Sequence, residues 1–446
     1  MKFIETLKNI WKIEDLRSRL LTTVLLVLVY RFGSFIVLPG IDPTALTALK
    51  AQTSGGLLAL LDMFSGGAFH NASVFALGIM PYISASIVIQ LLTIAVPYFQ
   101  KMQREGESGR RKMNQYTRYL TVLILLLQGP SYLINLSVQL AQAGSALPTG
   151  FFFTASTTLI LAGGSMFVMW LGERITDKGI GNGISFIILV GIISRFPGAV
   201  IKEFASRLTD AGGGLVMFLL EIVFLLVVIG ASIMLVQGTR KIPVQYAKRV
   251  VGNKQYGGVR QYIPLKINAA GVMPIIFAQA IMFIPLTLAG FAHSEAVSSF
   301  VGAFMNNTGF WYNFVFGLLI VAFTYFYTAI TINPTQMAEE MKRNNGFIPG
   351  IKPGKRTAEY LDEIMSRITL PGSIFLAIVA IMPAFAKLLG LNDSFAQFFG
   401  GTSLLILVGV VLDTLQQIES HLLMRHYDGL MKTGRIKGRT GGASAY

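Results

Sequence analysis

The stretch GLVMFLLEIVFLLVVIGASIMLVQ, residues 214–237, carries a single charged residue, Glu221. A helix of about 20 apolar residues spans the roughly 30 Å hydrocarbon core of a bilayer. Similar stretches fill much of the 446-residue chain, which is 53% hydrophobic and only 13% charged. Because a soluble domain carries about 25% charged residues, we expect most of the chain to lie in a membrane.

Nine further apolar stretches lie on either side of this one. Lipid offers no partner to backbone polar groups, so each stretch is predicted to be helical. The ten predicted spans are 20–39, 73–96, 119–140, 151–171, 181–195, 214–237, 268–291, 310–332, 369–389 and 400–418. The fifth is short and needs flanking residues to cross the membrane.

Lysine and arginine residues alternate across the connections between these spans. One side of the membrane receives 31 of them and the other side receives 5, while Arg31 lies inside the first span. Such an excess marks the cytoplasmic side, so both termini are predicted to be cytoplasmic. The charged start of the chain lacks a small-residue cleavage site and is not expected to be a removable signal peptide.

Two spans share a short pattern. The second contains Gly-Ile-Met-Pro at 78–81 and the seventh contains Gly-Val-Met-Pro at 271–274. An odd number of spans separates them, so an inverted repeat of five plus five helices would place them in opposite directions. A chance match of four residues is the alternative. Proline at matched places is expected to kink or locally open both helices.

Residues 55–70 form an apolar segment that is too short to span. Gly55 and Gly56 precede LLALLDMF, and Ser65-Gly66-Gly67 follows it. Such a segment either folds back into a cavity between the helices or lies flat at the membrane interface. Its periodicity does not separate these alternatives.

No catalytic, cofactor or metal site is expected. The chain has no cysteine and only four histidines, which lie far apart. The stretch GIKPGKR at 350–356 lacks the Ser/Thr of a phosphate-binding loop. Three ionisable residues fall within spans, Arg31, Glu221 and Asp413, and such residues either serve function or pair locally.

Polar residues also lie in the second and seventh spans. Gln90 and Thr93 fall late in the second span, Asn268 begins the seventh and Gln279 lies deeper in it. Hydrogen bonds between helices in lipid contribute only about 0.6–2 kcal/mol. A contact held by such bonds opens and closes easily, although ordinary helix packing uses the same residues.

Two loops on the cytoplasmic side are too long to be simple connectors. Loop 238–267 carries seven cations and no acidic residue, and its glycines predict a hairpin-like protrusion. It suits an acidic protein surface or phosphates, with lipid head groups as the alternative. Loop 333–367 mixes both charges, which favours docking of a protein partner.

Long motifs resemble the SecY family, the central subunits of the bacterial Sec translocon, over about residues 17–440. They are FGSFIVLPGID (32–42), MFSGGAFHNASVFALGIMPYISASIVIQLL (63–92), EGESGRRKMNQYTRY (105–119), MWLGERITDKGIGNGIS (169–185), PLKINAAGVMP (264–274), NPTQMAEEMKRNNGFIPGIKPGKRTAEYLDEI (333–364) and FGGTSLLILV (399–408).

The resemblance implies an all-α polytopic membrane protein with ten transmembrane helices in two inverted five-helix halves around a central pore. The implied divisions are a cytoplasmic segment 1–19, an N-terminal half 20–195, an external hinge loop 196–213, a C-terminal half 214–418 and a basic tail 419–446. A plug at about 57–68 and a hydrophobic ring would seal the resting pore.

The resemblance also assigns residues to these roles. The pore ring falls on Ile79, Ile83, Ile184, Ile188, Ile276 and Ile406. The plug falls on Leu57, Leu58, Leu60, Leu61, Met63 and Phe64, and the lateral gate on Gln90, Thr93 and Asn268. Motor and ribosome docking falls on Arg240, Lys241, Lys248, Arg249, Lys254, Arg260, Lys352, Lys355 and Arg356.

The implied activity is conduction of unfolded preproteins and lateral release of signal sequences and transmembrane helices, without catalysis. The implied partners are SecE-like and SecG-like small subunits, the SecA motor ATPase, the ribosome with its RNA, signal peptides, nascent chains and lipids, in a bacterial cell membrane. Lys352 replaces a common arginine, and Asn253-Lys254 replaces a common arginine pair. A secondary transporter and an intramembrane enzyme are the alternatives, and each lacks its required residues.

Overall fold

The computed structural model describes residues 13–41, 62, 64–142, 148, 150–209, 214–246, 249–251, 254–256, 260–289 and 309–433. These residues are largely helical. Those of the first half form α1 (Glu14–Gly33), α2 (Met80–Ala95), α3 (Pro97–Arg104), α4 (Glu107–Gln142), α5 (Phe151–Lys178) and α6 (Gly183–Thr209).

The second half begins with α7 (Gly214–Gln237), which leads directly into strands. The strands are β1 (Thr239–Tyr246), β2 (Arg249–Val251), β3 (Lys254–Tyr256) and β4 (Arg260–Lys266). The later elements are α8 (Met273–Ala289), α9 (Phe310–Thr331), α10 (Pro334–Arg343), β5 (Gly346–Phe347), α11 (Lys355–Leu388), α12 (Asp393–Ala396), a 3₁₀ turn (Gln397–Phe399) and α13 (Gly401–Thr433).

Each of the ten predicted spans overlaps one of these helices. Among the described residues, seven helices are long and apolar enough to cross a membrane: α4, α5, α6, α7, α9, α11 and α13. An eighth crossing is possible if α2 and α3, which are bent by 101° at their junction, count as one span. The chain is therefore a multi-pass membrane protein. Its first and seventh predicted spans correspond to the shorter or more charged helices α1 and α8.

The two Gly-x-Met-Pro motifs mark helix starts. Gly78 has φ +54° and Gly271 has φ +64°, a left-handed conformation that glycine adopts without steric cost. The helices that follow begin at Met80 and Met273, so each motif places its proline in the first helical turn. A backbone N–H in the first turn has no partner within the helix, so its absence in proline costs nothing. The prolines were expected to kink or locally open the spans, and in the structure the preceding chain turns and the helix begins there.

The predicted external loop 196–213 is helical up to Thr209, because α6 continues through it. Ile192, Ala199 and Glu203 are each at most 4% exposed. Their spacing of seven and four residues puts them on one helical face, so packing extends the helix past Pro197. This also gives the short fifth span its missing length.

Helix α6 also makes the extensive contacts between the two halves. Among the described residues, it packs on α7, α12 and α13, a contact that we call the rear seam. Its N-terminal end is tied to both halves through backbone N–H groups. Gly181 donates to Oε1 of Gln417 at 2.8 Å, and Ile180 donates to Oγ1 of Thr23 at 3.2 Å. Within the two halves, α2 packs along α4 and α8 packs along α9.

The two long loops form one small sheet. β1 pairs antiparallel with β4, which confirms the predicted hairpin-like protrusion, and also with β5 from the other loop. β2 and β3 form a second hairpin. Ile242, Val244, Leu265, Met341 and Leu361 are buried in a core that both loops share. The loops therefore present a single platform.

Candidate functional site

The six isoleucines of the predicted ring belong to one apolar cluster. Ile79, Ile188 and Ile406 are 2–3% exposed. The other three are partly buried and pack against the same cluster, namely Ile83, Ile184 and Ile276. These residues come from both halves, on or next to helices α2, α6, α8 and α13. Sequence positions more than 300 residues apart therefore meet in one apolar cluster.

The described end of the predicted plug lies against this cluster. Phe64 is 6% exposed and belongs to it. Gly66 contacts Gly191 of α6 so closely that a Cβ at Gly66 would lie 2.8 Å from the Gly191 Cα. This part of the segment is folded inward rather than lying at the interface. The other plug residues, Leu57, Leu58, Leu60, Leu61 and Met63, lie outside the described residues.

Residues 65–74 are held by neighbouring helices. The Tyr30 hydroxyl donates to the Ser65 carbonyl at 3.0 Å, and Arg31 donates to the Gly66 carbonyl at 2.8 Å. The Tyr132 hydroxyl donates to the Phe69 carbonyl at 2.9 Å. Backbone N–H groups of Leu38 and Val74 close a short ladder between residues 36–38 and 72–74. Arg31 is thus engaged by this segment.

We use the name front seam for the predicted gate residues, which are Gln90 and Thr93 on α2 and Asn268 before α8. Thr93 donates to the Gln90 carbonyl at 2.6 Å, and Asn268 Nδ2 donates to the Gly271 carbonyl at 3.0 Å. Both bonds are local. The buried Oε1 of Gln90 and Oδ1 of Asn268 have no hydrogen-bond partner. The buried Oε1 of Gln279 likewise has none, at a cavity that Tyr312 and Phe316 also line.

Glu221 is part of an ion-paired network at the rear seam. Arg207 of α6 contacts Oε1 of Glu221 at 2.6 Å and Oε1 of Glu203 at 3.0 Å. Arg207 also donates to the Gly390 carbonyl at 3.1 Å, and Asn392 N–H donates to Oε2 of Glu203 at 3.0 Å. The network joins α6 to α7 and to the turn before α12. Asp413, by contrast, is exposed on α13.

Sequence reasoning missed most of these charged partners. Glu203 and Arg207 fell in the predicted external loop, and Asp62 fell in the apolar segment. Asp62 forms an ion pair with Arg195 of α6, 133 positions later in the chain. The available signal was Asp62 itself, a single acid within an otherwise apolar run.

The basic residues of the two long loops line the shared platform. Six of the nine predicted docking residues are exposed: Arg240, Lys241, Arg260, Lys352, Lys355 and Arg356. Arg249 and Lys254 lie in the β2–β3 hairpin, and Lys248 lies outside the described residues. Salt bridges occupy none of the six in the described part of the chain. A dense cationic surface is suited to acidic proteins or phosphates.

The described residues contain no group of three or more metal-ligating side chains. What they contain is a helical membrane domain in two halves, both of which contribute side chains to one apolar cluster. This arrangement defines the class of the protein, a membrane channel subunit.

Comparison with known proteins gives the family. The SecY family model matches residues 73–415. The protein translocase subunit SecY of Streptomyces scabiei is 43% identical over 435 residues, covering 95% of this chain and 98% of the relative. The SecY subunit of Aquifex aeolicus (strain VF5) is 42% identical over 432 residues, covering 96% and 99%. The chain belongs to the SecY family.

Solved structures show the same fold. A structure described as a protein conducting channel matches with a TM-score of 0.59 at 17% identity, covering 94% of this chain and 95% of that one. Sec61 in the canine ribosome–channel complex from the endoplasmic reticulum matches with a TM-score of 0.54 at 16% identity, with the same coverage.

Proposed function

We propose that the chain is the pore-forming subunit of a protein translocase in a bacterial cell membrane, with both termini in the cytoplasm. As a SecY family member it is a channel subunit rather than an enzyme. It would pass unfolded preproteins across the membrane and release signal sequences and transmembrane helices into lipid. The observation that carries this proposal is the convergence of six isoleucines and Phe64 in one cluster between the halves.

The isoleucine ring would seal the resting channel. A narrow apolar constriction expels water, and ions do not cross without their hydration shell. Branched aliphatic side chains offer no hydrogen bond to a polypeptide in transit, so they do not retain it. Phe64 and the rest of the plug would fill the space beside the ring. One structural relative is described as having a plug domain that stabilises the closed state and maintains a membrane seal.

The front seam would be the lateral gate. Its described polar groups bond locally and leave two buried oxygens unsatisfied, so little is lost when the seam parts. An unsatisfied buried polar group costs about 1–3 kcal/mol, and water or an entering signal helix would relieve that cost. Opening is then a population shift, in which substrate binds the open state better than the closed one.

Energy for transport would come from partners docked on the cationic platform. We assign the platform to the SecA motor and the ribosome, the latter including RNA phosphates; a relative's structure is that of a ribosome–channel complex. SecE-like and SecG-like small subunits would complete the assembly in the membrane. The five-helix halves would be 20–195 and 214–418, and opening would pivot near residues 196–213.

A secondary transporter would need acids available at the midplane for ion coupling. Among the described residues, Glu221 is committed to Arg207, so it does not favour that alternative.

Single-channel conductance of the purified complex in planar bilayers tests the proposal. One variant changes Ile79, Ile83, Ile184 and Ile188 to glycine, and a second deletes residues 57–68. The matched control changes four exposed isoleucines, Ile134, Ile193, Ile201 and Ile378, to glycine. We expect silent wild-type and control channels and ion leak in both test variants. Silent test variants that insert normally would overturn the channel assignment.

A further inference from the structure

Asp62 is a buried acid whose carboxylate is fully engaged. Its side chain is 5% exposed, and one oxygen forms the ion pair with Arg195 of α6. The other oxygen accepts the His70 N–H at 2.9 Å. The Asp62 carbonyl accepts from the Gly67 N–H at 2.9 Å and from the Ser65 hydroxyl at 3.1 Å. Asp62 therefore organises the turn that follows it and fastens that turn to α6.

A second cation lies on the other side of the same turn. Arg31 of α1 donates to the Gly66 carbonyl. A Cβ at Gly66 would lie 3.0 Å from Nη1 of Arg31, and a Cβ at Gly67 would lie 3.9 Å from Nη2 of Arg195. The two guanidinium groups flank a turn that supplies a single carboxylate.

The strength of such a pair depends on whether water is present. Coulomb attraction between two charges weakens as the surroundings change from protein to water. A buried acid that loses its partner is strongly unfavourable. The Asp62 side chain is 5% exposed and that of Arg195 is 33% exposed, so the pair would hold in the closed channel and weaken further once a substrate brings more water into the pore. Apolar packing alone would not weaken in this way.

We propose that Asp62 and Arg195 form an ionic latch that holds the described end of the plug, residues 62 and 64–68, against α6 in the resting channel. Arg31 is a positioning residue that fixes the turn through the Gly66 carbonyl. The inference rests on the proposed function, because a latch matters only if this segment seals a pore. It assigns to two residues of this chain the control of how often the resting channel opens.

Resting open probability in planar bilayers tests the latch. Asp62→Asn keeps the shape and the acceptor for His70 but removes the charge, and Arg195→Gln removes the opposite charge. Lys202→Gln is the control, because it neutralises an exposed cation of the same helix. We expect each latch variant to open at least tenfold more often than wild type. The double exchange Asp62→Arg/Arg195→Asp should recover most of the closure.

Two results would overturn the latch. The first is that the Asp62→Asn and Arg195→Gln channels stay as silent as the Lys202→Gln channel, while the channel with residues 57–68 deleted leaks. That result would remove the latch and leave the channel assignment intact. The other is a double exchange that leaks as much as either single variant, because pairing would then not be the cause. If the deletion is also silent, the sealing function itself fails. If the Asp62→Asn protein does not accumulate, the comparison of Arg195→Lys with Arg195→Gln tests the latch. Arg195→Lys retains the charge, so its channel should stay mostly closed, whereas the Arg195→Gln channel should leak.

Discussion

The rear seam and the proposed front seam differ in how their polar side chains are paired. At the rear seam, Arg207 binds two carboxylates and a carbonyl, and these partners come from α6, α7 and the turn at Gly390. At the front seam, the polar groups bond within their own segments, and two buried amide oxygens remain unpaired. Opening the rear seam would cost free energy because it breaks ion pairs. Closing the front seam costs free energy because it buries unpaired amide oxygens.

The difference predicts the direction of opening. Breaking a buried ion pair costs about 3–5 kcal/mol, so a moderate input of binding energy will not part the rear seam. Exposing an unsatisfied amide to water recovers part of its desolvation cost. The halves are therefore expected to part at the front while they stay joined at the rear, as a channel with a side opening requires.

The largest expected effect comes from breaking the rear network. Arg207→Met leaves Glu203 and Glu221, which are 0% and 3% exposed, as unpaired buried acids. We expect the free energy of unfolding in detergent to fall by about 3–5 kcal/mol, measured by denaturant titration. Lys202→Met, at an exposed position on the same helix, should change it little. Equal stability of the two variants would show that the network does not hold the rear seam.

A second test concerns the contact between α6 and the plug segment at Gly191. Gly191→Val would press a side chain into the backbone of Phe64 and Gly66, whose atoms already lie within 3.3 Å of a Cβ there. We expect a loss of about 1–3 kcal/mol from overpacking, together with ion leak. Gly198→Val is the control, since a Cβ there meets nothing within 4 Å. If Gly191→Val channels stay closed, the plug segment does not need this contact.

The front seam should respond with the opposite sign. Gln90→Leu removes an unpaired buried oxygen, so stability should rise by about 1 kcal/mol while translocation slows. Asn268→Leu also loses the Nδ2 bond to the Gly271 carbonyl, so its stability should change little. Transport of a signal-bearing preprotein into vesicles gives the rate. A variant that is less stable and transports faster would mean that these amides hold the seam closed.

The smallest effect is expected at Thr93. Thr93→Val removes one bond within α2, to the Gln90 carbonyl, and should lower stability by about 0.6 kcal/mol. Transport should stay near the wild-type rate. A large transport defect in the vesicle assay would show that the Thr93 hydroxyl has a partner in the open state.

Hydropathy and charge predicted where the spans lie, because lipid requires every crossing segment to be apolar and helical. They did not place the contacts between spans. The pairing of β1 with β5 joins residues about 100 positions apart, and Asp62 with Arg195 is a comparable case; neither follows from local pattern. The helical extension of α6 past residue 195 also depends on burial against neighbouring helices, which composition does not report.

The ring residues were predicted only through the resemblance to the family motifs, and no local pattern indicated them. Isoleucine is common in every span, and nothing local distinguishes Ile188, which is buried, from Ile193, which is 45% exposed. The rear network was missed because Glu203 and Arg207 resemble ordinary loop charges until α6 is known to continue. Whether Glu203 and Arg207 are buried and paired depends on which faces of α6 pack against neighbouring helices.

Distances between spin labels test the central claim most directly, because the chain has no native cysteine. One label pair, at Val88→Cys and Phe326→Cys, reports on the front, and another, at Leu208→Cys and Leu219→Cys, reports on the rear; all four positions are exposed. Each pair is measured at rest and with a preprotein stalled in the complex. We predict a longer front distance and an unchanged rear distance. A rear distance that grows as much as the front one would contradict the account.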